Sequence, residues 1–192
     1  MNKEYTVKIE QEFITYDPFE LEQWRLGNPN LVPQHWLNSK GPGLANGYGY
    51  GEFFVERHLE KTGAKVIANA FDIMSKKSKY IENNKCIEAV MGHKNYKRLQ
   101  DVLNRIIKDG IKVENPDLCV LKPNLFYAEV KKDKDRIRQS QKVFAIVIWE
   151  IFRIPFKIYK LLPNGKTYDE SPILCREWLS TEYFADPKHL KE

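Results

Sequence analysis

Residues 116–131, PDLCVLKPNLFYAEVK, decide the fold that we predict for this chain. Two short apolar stretches flank Lys122-Pro123-Asn124, and this combination of residues is typical of a tight turn. We therefore predict a β-hairpin with strands over 117–121 and 125–131. A turn centred on Pro123 places the first residue of one strand, Asp117, directly opposite Glu129 on the other.

The predicted hairpin has one charged face. Side chains alternate along a strand, and directly opposed residues share a face, so Asp117, Glu129 and Lys131 lie together. We predict that the opposite face is the core face; it carries Leu118, Val120, Phe126, Ala128 and Val130. Opposed carboxylates repel each other, and a bound Mg²⁺ or Mn²⁺ ion would offset that repulsion. Short strands that end in acids and lysines also occur on ordinary surfaces, and spacing alone does not separate these two interpretations.

The elements around the hairpin alternate between helices and strands. A helix over 52–62 is predicted to end at Gly63, and an apolar, partly β-branched strand over 65–71 follows. Residues 74–112 are basic and have apolar residues at helical spacing, which predicts a helical insertion. After the hairpin we predict a buried helix over 137–151 and a strand over 156–162.

The length of 192 residues favours one hydrophobic core with flanking segments. Residues 1–50 are rich in aromatic residues, glycine and proline, and we predict an extension that packs on the core. The core itself is predicted to span 51–162, with its insertion at 74–112. Residues 163–192 are predicted to form a C-terminal tail.

The composition is that of a soluble globular protein, with 42% hydrophobic and 30% charged residues. The longest apolar run, 143–149, is too short to span a bilayer, which predicts no membrane partner. The start of the sequence lacks the apolar stretch of a secretory signal, so we expect a cytoplasmic protein. Three widely separated cysteines indicate reduced thiols. The four histidines have no metal-ligand spacing.

Positive charge is concentrated beside the hairpin. The formal net charge is only +5, but cations cluster immediately after Glu129: Lys131, Lys132, Lys134, Arg136, Arg138 and Lys142. A second group lies at Lys76, Lys77 and Lys79. Such runs are either solvated surface or contacts to nucleic-acid phosphates, which bind cations without sequence preference.

Several motifs resemble those of a known class of enzymes. Pro116-Asp117 followed by Glu129-Val130-Lys131 resembles the two halves of the PD-(D/E)XK nuclease motif. Gly51-Glu52 at the start of a helix is similar to the helix from which many of these nucleases donate a further carboxylate. Downstream, Asp135-Arg136-Ile137 and then Gln141 resemble the VRR-NUC branch of virus-type replication and repair nucleases, in which a helix after the lysine carries a glutamine.

This resemblance implies a restriction-endonuclease-like α/β fold, with a mixed central sheet flanked by helices. It implies a catalytic set of Asp117, Glu129, Lys131, Glu52 and Gln141. The implied ligands of Mg²⁺ or Mn²⁺ are Asp117, Glu129, the carbonyl of Val130 and Glu52, and Glu56 is the alternative to Glu52. Lys131 would orient the nucleophilic water.

The implied activity is that of a metal-dependent deoxyribonuclease that hydrolyses phosphodiester bonds. Lys132, Lys134, Arg136 and Arg138 would then contact the nucleic-acid backbone. The resemblance favours DNA over RNA, which the residues themselves do not separate. The alternative is a catalytically silent nuclease-fold subunit that binds DNA or serves in assembly. The sequence leaves open whether two chains form a homodimer.

Overall fold

A six-stranded mixed sheet forms the centre of the protein. The computed structural model describes residues 1–38, 44–132, 135–166 and 171–185. The strands are β1 (Asn2–Tyr16), β2 (Lys65–Ala68), β3 (Leu118–Lys122), β4 (Phe126–Lys132), β5 (Phe156–Pro163) and β6 (Ile173–Ser180). Their spatial order is β2-β3-β4-β5-β1-β6. Strands β4, β5 and β1 run parallel, and the other neighbouring pairs are antiparallel.

Helices flank this sheet, so the fold is α/β. The α-helices of the described residues are α1 (Pro18–Arg25), α2 (Gln34–Leu37), α3 (Tyr50–Glu60), α4 (Ile81–Met91), α5 (His93–Lys108) and α6 (Gln139–Phe152). Short 3₁₀ turns occur at Leu44–Asn46, Ser78–Tyr80 and Thr181–Tyr183. Helices α3 and α6 and strands β2 and β5 form close to their predicted positions. Gly63 follows α3 with a φ of +84°, in the left-handed region that favours glycine where a helix ends.

The hairpin has the predicted register. Strands β3 and β4 pair Leu118 with Ala128 and Cys119 with Tyr127. The regular strand begins at Leu118, so Asp117 is the residue immediately before β3. The backbone carbonyl of Asp117 accepts a hydrogen bond of 2.8 Å from the N–H of Asn69, directly after β2. The end of β2 therefore helps to fix the position of Asp117.

The prediction that only one face of the hairpin is core is wrong, because helices cover both faces. On the face of Glu129, Cys119 and Tyr127 are buried in one cluster with residues of α4, α5 and α6. On the other face, Leu118 and Ala128 pack against Val55 and other residues of α3. The hairpin is apolar on both faces between its charged residues, as a central strand pair of an α/β sheet requires. The charged residues consequently lie inside the protein.

The predicted insertion is helical but forms a layer of the main core. Its apolar stripe on α5 is buried against the sheet and α6: Tyr96, Leu99, Val102, Leu103 and Ile106. These residues recur every three or four positions, which gives the helix one continuous apolar face. The segment 74–112 thus forms part of a helical layer that covers one face of the sheet.

The two ends of the chain also differ from their prediction as an extension and a tail. Strand β1 lies inside the sheet between β5 and β6, and β6 belongs to the predicted tail. Tyr5, Val7 and Ile9 of β1 alternate with exposed residues and enter the main core. The later part of 1–50 packs against α3 through a small cluster that includes Trp24, Tyr50 and Phe53.

Two further predictions can be compared with the structure. None of the helices in the described ranges is long and apolar enough to cross a membrane. Cys86, Cys119 and Cys175 are all free thiols, as predicted.

Candidate functional site

Strand β4 and helix α6 bring together a buried acid, a lysine and a glutamine. The Nζ of Lys131 lies 2.9 Å from Oε1 of Glu129 and 3.0 Å from Oε1 of Gln141. The Nε2 of Gln141 also donates a hydrogen bond to Oε1 of Glu129. Glu129 and Gln141 are each 1% exposed, and Lys131 is 6% exposed. Three of the predicted site residues therefore form one closed network.

The second carboxylate oxygen of Glu129, Oε2, is buried and has no hydrogen-bond partner among the described residues. Burial, together with the negative charge of Asp117, raises the pKa of Glu129 to about 8, although Lys131 opposes the shift. A buried carboxylate oxygen without a partner is destabilising when the group is ionised. This oxygen therefore requires either a proton or a cation.

Asp117 supplies the second carboxylate. It is half-buried, and its Oδ2 accepts a hydrogen bond of 2.9 Å from the backbone N–H of Val130. This bond joins the residue before β3 to the middle of β4 and holds the Asp117 carboxylate beside that of Glu129. The role predicted for the carbonyl of Val130, that of a metal ligand, stays a prediction.

Glu52 lies in the first turn of α3 and is half-buried. Burial raises its pKa, and the charge of Asp117 adds to this shift, while Lys132 and the side chain of Asn69 oppose it. The alternative, Glu56, also has a raised pKa, about 7, but its causes are burial and the neighbouring charge of Glu60. Glu52 is therefore the helix carboxylate that interacts with Asp117.

Gly51 lets the start of α3 approach the sheet closely. A Cβ atom at this position would lie 3.1 Å from Cδ1 of Leu161 and 3.2 Å from Cγ1 of Val130. Both distances are tighter than ordinary van der Waals contacts. A glycine here allows the backbone to pass above β4 and β5, and this places the next residue, Glu52, near Asp117.

A cleft of about 610 Å³ opens beside helix α3. Glu52, Glu56 and Asn69 line it, together with Lys79 and aromatic residues that include Phe53 and Tyr80. Asn69 was not among the predicted site residues. It has a φ of +50°, a conformation that asparagine tolerates better than most residues, and it contacts both Glu52 and Asp117. An asparagine that directly ends an apolar strand is the sequence signal that indicates such a position.

The predicted phosphate contacts differ in their surroundings. The Nζ of Lys132 donates a 3.2 Å hydrogen bond to the carbonyl of Gly47. Arg138 forms a 3.2 Å ion pair with Glu114. Arg136 is exposed and has no ion-pair partner within the described ranges. Lys134 lies outside the described residues.

The donor set is compatible with a hard divalent cation. Within the described parts of the chain, no group of three His, Cys, Asp or Glu residues forms a ready metal site. Asp117 and Glu129 nevertheless form an adjacent pair of carboxylates with one unpartnered buried oxygen. Mg²⁺ keeps several waters and is commonly bound by one or two carboxylates together with substrate phosphates. The carboxylates of Asp117 and Glu129 fit this coordination pattern of Mg²⁺. Glu52 is not a member of this carboxylate pair.

Comparison with protein-family profiles, curated proteins and solved structures gives no match. A relation to the PD-(D/E)XK nucleases therefore rests on the resemblance of the motifs.

Proposed function

We propose that this chain is a Mg²⁺- or Mn²⁺-dependent nuclease that hydrolyses phosphodiester bonds of DNA. The observation that carries the proposal is the arrangement around Glu129. One oxygen of its carboxylate is held by Lys131 and Gln141, and the other is buried without a partner beside Asp117. A purely structural ion pair has no need of a second carboxylate at this position, whereas a metal-binding acid pair does.

Asp117 and Glu129 would hold the metal ion. When bound, the ion would polarise the phosphate and lower the pKa of a water molecule. Lys131 would orient the attacking water and balance negative charge on the phosphate. Gln141 is the positioning residue, because it fixes both Glu129 and Lys131 from α6. Glu52, at the cleft beside Asp117, would contribute a further carboxylate.

The charges of the site support the proposal that a cation binds together with a phosphate. The charge of Asp117 acts on both Glu52 and Glu129, and the opposing cations are Lys132 for Glu52 and Lys131 for Glu129. A phosphodiester would add one more negative charge to a site with an excess of acids. A divalent ion reverses this balance, so metal and substrate are expected to bind together.

The fold supports the proposal at a general level. Along the chain, α3, β2, the β3–β4 hairpin, α6 and β5 follow one another in the order of the resembling motifs. We accordingly propose a restriction-endonuclease-like architecture for the region from α3 to β5. Exposed cations after β4, Arg136 and Arg138 among them, would contact the DNA backbone, and we propose the cytoplasm as the site of action.

A DNA-binding subunit without catalysis is the second candidate, and the burial of Glu129 and Lys131 favours it. Neither residue lines the 610 Å³ cleft that carries Glu52. If this buried pair served only stability, the exposed cations would bind DNA and no bond would be cleaved. The two candidates therefore differ in a single measurable property, metal-dependent cleavage.

The test is incubation of the full chain with plasmid and single-stranded DNA in the presence of Mg²⁺, Mn²⁺ or EDTA. Asp117→Asn keeps an oxygen that can accept from the Val130 N–H but removes the charge, and it is expected to reduce cleavage about 100-fold or more. Asp101→Asn, an exposed acid on α5, is the matched control and is expected to cleave normally. Cleavage that is undiminished in Asp117→Asn and in Lys131→Met would refute the mechanism. DNA binding without cleavage in any metal would favour the second candidate.

A further inference from the structure

A second concave site lies next to Lys131. It is a pocket of about 340 Å³ whose lining includes four cationic side chains, Lys131, Arg136, Lys142 and Lys160, and one carboxylate, Asp135. These cations come from separate segments: β4, the segment before α6, α6 itself and β5. Lys160 on β5 joins three cations from residues 131–142, so the pocket combines charges from two separate parts of the chain.

Three of the four cations of the pocket already have partners within the described residues. Lys131 is paired with Glu129, and the Nζ of Lys142 lies 4.0 Å from Glu177. The Nζ of Lys160 donates a 2.5 Å hydrogen bond to the backbone carbonyl of Asp135. Arg136 has no carboxylate partner in the described part of the chain, and its guanidinium can bind phosphate oxygens in bidentate fashion. Arg136 is therefore the cation most directly placed to receive an anion.

The other residues that line the pocket are three isoleucines and Gln11. Ile137, Ile158 and Ile173 contribute to its lining. A volume of 340 Å³ lies at the lower end of the range of about 300 to 1,000 Å³ that is usual for small-molecule sites. A lining that combines cations with isoleucines suits a phosphate that is attached to a less polar group, such as the sugar of a terminal nucleotide.

We propose that this pocket binds the terminal phosphate of a nucleic-acid strand. A phosphomonoester carries about −1.5 to −2 charges at pH 7, more than the single charge of an internal phosphodiester, so converging cations favour a strand end. The inference rests on the proposed nuclease function, which brings a nucleic-acid strand beside Lys131. The inference adds to that function that the protein recognises its nucleic-acid substrate at the end of a strand.

The test measures binding without cleavage, with the full chain in EDTA and fluorescence anisotropy of short single-stranded oligonucleotides. The strands carry a 5′-phosphate, a 3′-phosphate or hydroxyls at both ends. One phosphorylated strand is expected to bind about tenfold more tightly than the hydroxyl strand, which corresponds to about 1.4 kcal/mol. Arg136→Ala and Lys160→Ala are expected to abolish most of this preference. Lys94→Ala, an exposed cation on α5 that lines neither the pocket nor the cleft, is expected to retain it.

Equal binding of all three strands by the unmodified protein would overturn the inference, as would a preference that persists in Arg136→Ala. Inorganic phosphate serves as a competitor. If it binds as tightly as the phosphorylated strand, the pocket is a site for free phosphate and the assignment to a strand end is wrong. Failure of the proposed nuclease function is separable, since absence of cleavage in Mg²⁺ and Mn²⁺ leaves the end preference in EDTA unchanged.

Discussion

Gln141 on α6 donates a hydrogen bond to Glu129 on β4 through the same carboxylate oxygen that accepts from Lys131. The carbonyl oxygen of the Gln141 side chain accepts in turn from Lys131 and, at 2.9 Å, from the backbone N–H of Arg138. This one side chain thus ties the start of α6 to the acid and the lysine of the candidate site. The other carboxylate oxygen of Glu129, Oε2, has no hydrogen-bond partner among the described residues.

Replacing Gln141 by alanine is expected to impair the site more than the fold. The change removes an acceptor from Lys131 and a donor from Glu129, and loss of residues that orient metal ligands typically lowers metal affinity or activity by about 10- to 100-fold. Stability is expected to fall by about 1–3 kcal/mol, because buried polar partners are left unsatisfied. Cleavage kinetics and urea unfolding measure the two effects. Gln139→Ala, on the same helix but exposed, is the control, and equal activity of the two variants would contradict the role given to Gln141.

The raised pKa of Glu129 predicts a pH-dependent stability in the absence of metal. Burial holds the folded-state pKa at about 8, above the ordinary value of 4.5. Between these values the folded protein binds a proton that the unfolded chain lacks, so this contribution is complete below about pH 4.5 and is lost as pH rises through about 8. Urea unfolding in EDTA from about pH 5 to about pH 9 measures the slope.

Glu129→Gln isolates this contribution. The amide cannot ionise, so the decline in unfolding free energy toward high pH is expected to be shallower than in the unmodified protein. Glu22→Gln, at an exposed position on α1, provides the control for removal of an acid that is not buried. Identical pH profiles for Glu129→Gln and the unmodified chain would show that Glu129 is not the buried titrating group.

Metal binding is expected to replace the proton on Glu129. At a concentration tenfold above its dissociation constant, Mn²⁺ or Mg²⁺ should stabilise the folded protein by about 1.4 kcal/mol. For a chain of this size that corresponds to an increase in Tm of about 3–6 °C. Calorimetric titration at neutral pH in two buffers of different ionisation enthalpy should also detect proton release. Neither effect is expected in Asp117→Asn, and a Tm that rises equally in both proteins would place the metal elsewhere.

Much of the hairpin could be predicted from the sequence because its determinants are local. The turn at Pro123 and the alternation of side chains fixed the pairing of Cys119 with Tyr127, and this pairing is observed. The network of Lys131 with Gln141 joins residues only ten positions apart, on adjacent elements. A prediction from the neighbouring sequence is reliable where the contacts themselves are close along the chain.

The parts of the fold that could not be predicted from the sequence depend on contacts between residues that are far apart along the chain. Strand β1 pairs with β5 and β6, so Glu10 lies beside Lys157 and Val7 beside Cys175. Nothing near residue 10 in the sequence signals those partners, although the alternation of Tyr5, Val7 and Ile9 was a local sign of a strand. Coverage of both hairpin faces likewise depends on how α3 and α5 return to the sheet, which the hairpin sequence does not encode.

The choice between Glu52 and Glu56 as the helix carboxylate is testable with a pair of matched variants. Both residues are on α3 and line the same cleft, but the charge of Asp117 acts on Glu52, whereas the neighbour that acts on Glu56 is Glu60. Glu52→Gln is therefore expected to lower metal-dependent cleavage about tenfold or more, as for loss of one group that binds or orients a metal. Glu56→Gln is expected to cleave at nearly the normal rate and serves as the control for removing an acid from the cleft. Metal titrations of cleavage separate weaker metal binding from a slower reaction at saturation. If Glu56→Gln is the more defective variant, the cleft carboxylate of the site is Glu56, and the approach of Gly51 to β4 has no part in positioning it.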